Sequence, residues 1–220
     1  MIQSTSATNG EGKQEDGKSD EEKKRCHELE RAGIFKRYQG VTFEAIEKRG
    51  LPESANIRKN YQRVKEYAAT LPFQIDHGYG LILAGHYGTM KTTMAIAILR
   101  QWLDANHYGL IVPMCSMIDN LFTLRATDHE GWVKYEQKLR STPLLILDDL
   151  GGEDTDKSWV MAKVDSIITE RYNKMLSVII TTNLTQEELA GTYSSRIVDR
   201  LKNTSAYLTF DECSQRRVKQ

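Results

Sequence analysis

Residues 80–93 of this 220-residue chain hold the first side chains whose types and spacing could do chemistry. A short apolar run, Leu81-Ile82-Leu83, feeds a glycine-bearing turn, Gly85-His86-Tyr87-Gly88-Thr89-Met90. The turn ends in Lys91-Thr92-Thr93 and opens onto a helical pattern. Strand, glycine turn, Lys-Thr and helix together make a phosphate-binding loop. Backbone N–H groups in such a turn and at the helix N-terminus point at an anion, and the helix dipole favours negative charge there. Lys91 adds a point charge against the β- and γ-phosphates, and the Thr92 hydroxyl is a ligand for Mg²⁺. One position departs from the pattern G-x-x-x-x-G-K-[ST]: Met90 stands where the second glycine is expected, and Gly88 lies inside the turn.

Three further stretches follow. Leu144-Leu-Ile-Leu147 runs into Asp148-Asp149, an apolar strand that delivers paired acids to the carboxyl edge of a sheet, where open α/β folds bind ligands. Asp148 suits Mg²⁺, directly or through water, and Asp149 suits the orientation or deprotonation of an attacking water. Val178-Ile-Ile-Thr181-Thr182-Asn183 is a second buried strand with a polar end, and the Asn183 amide can place water beside a γ-phosphate. Finally, Arg196 and Arg200 in Ser195-Arg-Ile-Val-Asp-Arg-Leu201 share a helix face. An arginine that reaches the γ-phosphate of a neighbouring subunit is worth roughly 10³–10⁵ in rate, or about 4–7 kcal/mol.

These residues need a frame. Residues 1–27 are polar and charged with almost nothing to bury, so a disordered tail is expected. Residues 28–72 read as a helical linker that packs on the domain beyond it, with a helix near 43–49 closed by Gly50 and another over Ile57, Tyr61, Val64, Ala68 and Leu71, ending before Pro72. Residues 73–220 read as the main domain. After the loop comes a helix over Ala95–Leu103, then a strand Leu110–Met114 whose Pro113 suits an edge. A helix starts at Ser116, and a polar break at Thr127–Gly131 separates it from a second amphipathic stretch. The strand ending in the acids, a helix over Val160–Tyr172, the strand Val178–Ile180, a short helix capped at Thr185, a helix near Ser195–Leu201 and a strand Ala206–Phe210 complete the order. Strands alternating with helices, several of them apolar throughout, predict an α/β fold with a five-stranded parallel sheet buried on both faces.

Thirty basic and thirty acidic residues cancel, so any nucleic-acid contact comes from a local patch rather than a global field. No apolar run approaches the ~18 residues of a membrane span and no signal-peptide core is present, so the expected location is the cytoplasm. Cys26, Cys115 and Cys213 are scattered and odd in number, as free thiols in a reducing compartment are.

The order Gly85–Thr93, Leu144–Gly151, Val178–Leu184 and Ser194–Leu201 resembles the AAA+ ATPases of the DnaC/IstB group, which are bacterial and phage replicative helicase loaders and transposition ATPases. The similarity runs from about Gly33 to the C-terminus and includes Gly33-Ile-Phe-Lys-Arg-Tyr38, Thr42-Phe43 and Arg171-Tyr172. It implies a P-loop NTPase fold with strand order 5-1-4-3-2, ATP and Mg²⁺ at subunit boundaries, and ring or spiral assembly. It implies Asn183 as sensor, Arg196 as the inter-subunit finger with Arg200 second, and Arg216 of Ser214-Gln-Arg216 as a second sensor. Little chain follows Phe210, so no C-terminal helical lid is expected, and the low-complexity residues 1–25 are not expected to form the N-terminal helicase-binding domain that a loader normally has.

The resemblance also points at residues 116–140 for DNA. Arg125, Lys134, Lys138 and Arg140 could meet phosphates there, and Phe122, Trp132 or Tyr135 could stack on bases or fill the core; Glu130 and Glu136 dilute the charge. The implied activity is ATP binding and hydrolysis, slow unless assembled, in a DNA-replication protein resembling a DnaC-type loader. Its expected partners are a replicative helicase, single-stranded DNA and further copies of itself, with no membrane. The alternatives are an IstB-like ATPase that remodels target DNA for transposition, and a nucleotide-binding assembly module without turnover.

Overall fold

The computed structural model describes residues 19–152 and 157–210. Helix α1 (Asp20–Arg31), a 3₁₀ turn (Lys36–Tyr38) and helices α2 (Phe43–Arg49), α3 (Ala55–Ala69) and α4 (Leu71–Asp76) precede the first strand. Then come β1 (Gly80–Gly85), α5 (Lys91–Asp104), β2 (Gly109–Pro113), α6 (Met114–Thr127), α7 (His129–Ser141) and β3 (Leu144–Leu150). The described part ends with α8 (Lys157–Asn173), β4 (Ser177–Thr182), α9 (Gln186–Thr192), α10 (Ser195–Thr204) and β5 (Ser205–Phe210). The five strands form one parallel sheet in the order β2-β3-β4-β1-β5, which is the order 5-1-4-3-2.

Both faces of the sheet are covered, which is why the apolar runs of β1 to β4 do not alternate, whereas β5 at the edge does. Leu81, Leu83, Ile111, Ile146, Ile179 and Leu208 join one core with residues of α3 and α5, among them Ile57, Val64, Met94 and Ile98. Ile82, Leu110, Val112, Leu145, Leu147 and Ile180 point the other way, into a core shared with Ile118 of α6, Val164 of α8 and Leu201 of α10. Successive residues of a strand thus feed opposite layers.

The segment ahead of β1 guards the two edges of the sheet. At β2, the Ile111 N–H donates to the Ala32 carbonyl at 2.9 Å. The next residue, Gly33, has φ +85° and lies so close that a Cβ there would sit 2.0 Å from the Ile111 carbonyl oxygen; only glycine fits. At β5, Asn60 of α3, itself buried, donates its side-chain amide to the Thr209 carbonyl at 2.7 Å. At the end of the sheet away from the phosphate loop, Arg171 is fully buried and donates to the carbonyls of Leu139 (2.8 Å), Pro143 (3.3 Å) and Ser177 (2.7 Å). Burial pushes its guanidinium pKa down to about 9.

Several expectations are corrected. Helix α1 begins at Asp20, inside the stretch expected to be disordered, because Ser19 and Glu22 form a reciprocal capping box at its start. Pro72 does not merely end a helix. It sits in the first turn of α4, where a missing N–H costs nothing. Helix α6 starts at Met114 straight off β2, so Ser116 lies within its first turn instead of capping it. The break between α6 and α7 shrinks to Asp128, whose carboxylate caps the Gly131 N–H at 2.9 Å. No helix among the described residues is long and apolar enough to cross a membrane.

Candidate functional site

The glycine turn leaves β1 at the carboxyl edge of the sheet. Its backbone takes positive φ three times, at Gly85 (+140°), Gly88 (+81°) and Met90 (+69°), the curvature that turns successive N–H groups into an anion-binding hollow. Met90 is the N-cap of α5 in the left-handed region, so the chain takes there the conformation that a glycine would serve. Its partly buried side chain packs against the first core. Helix α5 has no side-chain N-cap, which leaves its first-turn N–H groups to face the loop without a protein partner from a cap. Thr89 is buried and closes the turn by donating to the His86 carbonyl at 2.8 Å. Tyr87 at the turn's apex is 62% exposed, and Thr93 is half-buried in the first turn of α5.

Lys91 is buried and donates to the carbonyls of Gly85 (2.7 Å) and His86 (2.8 Å) and to Oδ1 of Asn183 (2.9 Å). The other end of that amide donates to Oδ1 of Asp149 at 2.6 Å. A second chain runs beside it. Thr92 donates to Oδ1 of Asp148 at 2.8 Å, and Thr181 donates to the same oxygen at 2.6 Å. The phosphate loop, the paired acids and the polar end of β4, widely separated in sequence, therefore meet in one hydrogen-bonded network. A cleft of about 340 Å³ opens beside it, lined by Gly85, His86, Asn183, Glu187 and Tyr207 among others.

The fourth stretch is not part of this network. Arg196 is 68% exposed with Asp165 of α8 at 3.9 Å. Arg200 is held inside the chain: it bonds Thr169, lies 3.8 Å from Asp165 and covers the Tyr172 ring at 5.6 Å. Arg216 lies outside the described residues. The expected basic DNA face is largely spent within the chain. Arg140 pairs with Glu170 (2.6 Å) and Glu136 (3.6 Å), Lys134 with Glu130 (2.5 Å), and Lys138 bonds the Arg31 carbonyl (3.4 Å), while Arg125 is exposed. Trp132 and Tyr135 pack against the second core. Phe122 is 40% exposed and stacks on Trp159 at 4.4 Å. Two residues went unassigned from sequence: Thr181, which joins the acids, and Asp165, which both arginines approach. Thr181 stood in the quoted motif, and only its pairing across the sheet reveals what its hydroxyl reaches.

The donor set can be weighed against the groups such a site holds. Thr92 and Asp148 supply a hydroxyl and a carboxylate in contact, the sparse oxygen set that suits Mg²⁺ carried in with a phosphate. No cluster of three or more His, Cys, Asp or Glu residues able to hold a metal by itself occurs among the described residues. A loop rich in positive φ, an uncapped helix start and a buried lysine fit the phosphates of a nucleotide.

A parallel sheet of this order with a phosphate loop after its first strand defines an AAA+ P-loop ATPase fold. Within that class, the chain belongs to the family described as IstB-like ATP binding protein, which matches residues 20–220. Over 182 residues it is 26% identical to the replicative helicase loader DnaI of Bacillus subtilis (strain 168), a stretch covering 81% of this chain and 56% of DnaI. The chain thus spans little more than half of that relative. It is 23% identical over 190 residues to the replicative helicase loader DnaC of Escherichia coli (strain K12), covering 84% of this chain and 73% of DnaC. Among solved structures it is similar to the DnaC helicase loader, with a TM-score of 0.70 at 24% identity over 80% of this chain and 99% of that one. It is also similar to the replication initiator DnaA bound to AMPPCP and single-stranded DNA, with a TM-score of 0.63 at 16% identity over 79% of this chain and 52% of that one.

Proposed function

We propose that this chain is a Mg²⁺-dependent ATPase of DNA replication that acts as a DnaC-type helicase loader. The observation that carries the ATPase reading is the continuous set of bonds from Lys91 through Asn183 to Asp149. These bonds join the three residues that this reading needs as phosphate-binding cation, sensing amide and water-orienting acid, and so support it. Loop N–H groups and Lys91 would hold the phosphates, Thr92 and Asp148 would hold Mg²⁺, and Asp149 with Asn183 would orient water. Bound Mg²⁺ would supply charge neutralisation of the phosphates. Lys91 donates to the Gly85 and His86 carbonyls and to Asn183, so nucleotide binding would exchange some of these contacts for phosphate oxygens.

Arg196 is the side chain we assign to the site of a neighbouring copy, because it is exposed where Arg200 is tied to its own α8. Self-association would then be a condition of fast turnover. The helicase and single-stranded DNA enter as partners on the strength of the relatives named as loaders. Exposed Phe122, tilted against the half-buried Trp159, offers bases a surface, though Lys134 and Arg140 of the same region are paired.

Removing the Lys91 charge tests the site: Lys91→Ala is expected to abolish ATP binding measured by titration calorimetry, and retained binding overturns the assignment. Phosphate release at high protein concentration, with single-stranded DNA present, separates an ATPase from a module that only binds. Co-purification with a replicative helicase, set against remodelling of duplex DNA with a transposase, separates the loader from the transposition ATPase.

A further inference from the structure

β3 and β4 pair in register from Leu144 opposite Ser177 to Leu147 opposite Ile180, and pairing resumes at Leu150 opposite Thr182. Over this interval β3 carries one residue more than β4, a bulge that sets Asp148 and Asp149 together against Thr181. In an unbroken parallel ladder the Asp149 amide would find a backbone carbonyl. It donates instead to the Thr181 hydroxyl at 2.9 Å, and that hydroxyl donates in turn to Oδ1 of Asp148 at 2.6 Å. Asp149 sits at φ +60°, a region that a residue with a Cβ enters at a cost and holds only where its surroundings enforce it. Divided this way, Asp148 meets Thr92 and Asp149 meets Asn183. Thr181 is 1% exposed, so solvent has no ready route to replace its hydroxyl.

We propose that Thr181 is a positioning residue whose one hydroxyl, accepting from the backbone of one acid and donating to the side chain of the other, holds the two carboxylates in separate roles. The proposal rests on the nucleotide-site reading above. Serine supplies the same donor and acceptor. Valine, of nearly the same shape, supplies neither and removes the bond that the Asp149 amide makes to Thr181.

The test compares wild type, Thr181→Val and Thr181→Ser, each first shown to be folded by a cooperative thermal transition; Thr181→Ala replaces the valine variant should that one not fold. Two quantities are read: amide hydrogen exchange at Asp149 in the nucleotide-free protein, and affinity for a non-hydrolysable ATP analogue with magnesium and with EDTA. In the valine protein, exchange at Asp149 speeds up roughly tenfold or more, the loss of one hydrogen bond. Its affinity in EDTA stays near wild type while the gain conferred by magnesium falls roughly tenfold. The serine protein restores both. A magnesium gain unaltered in the valine protein removes the role whatever the exchange shows, as does a serine protein that behaves like valine. If wild type fails to bind the analogue at all, the nucleotide reading falls instead. The exchange arm then decides: acceleration in valine reversed in serine keeps Thr181 as the residue that sets the acids, and unchanged exchange removes it.

Discussion

Met90 occupies the position where a phosphate loop ordinarily has glycine, and it does so in the left-handed conformation that glycine serves. A residue with a Cβ bears about 1–2 kcal/mol for this. Packing of its side chain against the first core offsets part of that strain. Met90→Gly is therefore expected to shift ATP affinity by no more than about threefold while moving stability by about 1 kcal/mol or less, since relief of strain opposes lost packing and added chain entropy. Titration calorimetry and thermal melts check this; a tenfold tightening would mean that the methionine crowds the site. The two arginines of α10 differ in the same residue-level way. Arg196→Ala is expected to spare binding and slow turnover by about 10³-fold or more. Arg200→Ala should lower the melting temperature instead, because it breaks bonds to Thr169 and a contact over Tyr172. Turnover unaffected by the Arg196 change would reject the finger.

At the level of elements, two buried groups tie helices to the sheet end opposite the phosphate loop. Arg171 has carbonyl partners on α7, on the turn before β3 and on β4. Arg171→Met leaves those carbonyls unpaired and is expected to cost about 3 kcal/mol in urea denaturation, with nucleotide affinity little changed. Tyr67 of α3 donates to the Tyr79 carbonyl at 2.8 Å and lies 3.1 Å from the Ser177 hydroxyl, and burial pushes its phenol up to about 12. The unfolded chain therefore ionises this tyrosine first. Its contribution is complete below pH 10 and is lost as pH rises from 10 toward 12, by about 3 kcal/mol in all. Tyr67→Phe should flatten that alkaline decline in melts taken across this range, and an unchanged decline would assign it to other groups. These elements show where sequence was readable. The apolar runs of β1, β3 and β4 and the capping box at Thr185 and Glu188 are local patterns, and the structure keeps them. The bulge at Asp148-Asp149, the start of α6 on Pro113 and the pairing of Arg140 with Glu170 depend on partners distant in the chain, so no local pattern announces them.

For the whole molecule, the turn after β1, the paired acids of β3 and the polar end of β4 were legible as motifs because a strand with a polar end is itself a short sequence pattern. What fills the space between them was not. Arg140 of α7 looked available to phosphates only while its acidic partner on α8 was out of view, since sequence distance hides its contact with Glu170; Lys134 pairs within α7 itself, with Glu130.

The covered edges of the sheet bear on how the chain assembles. Ala32 waits for β2 and Asn60 for β5, and the contact of Asn60 with Thr209 spans 149 residues, so the last strand to emerge completes a bond offered by one of the first helices. Closure of this kind is slow, because a long loop must be paid for in entropy before the contact forms. Until then both flanks of the sheet are open templates for strands of other chains. A chain cut to begin at residue 73 keeps the turn after β1, the paired acids and Asn183, yet it lacks both guards. Such a fragment is expected to form aggregates on refolding, visible as a rise in light scattering that residues 28–72 added as a separate polypeptide reduce. A monomeric, cooperatively melting fragment would show that the N-terminal segment only decorates the sheet.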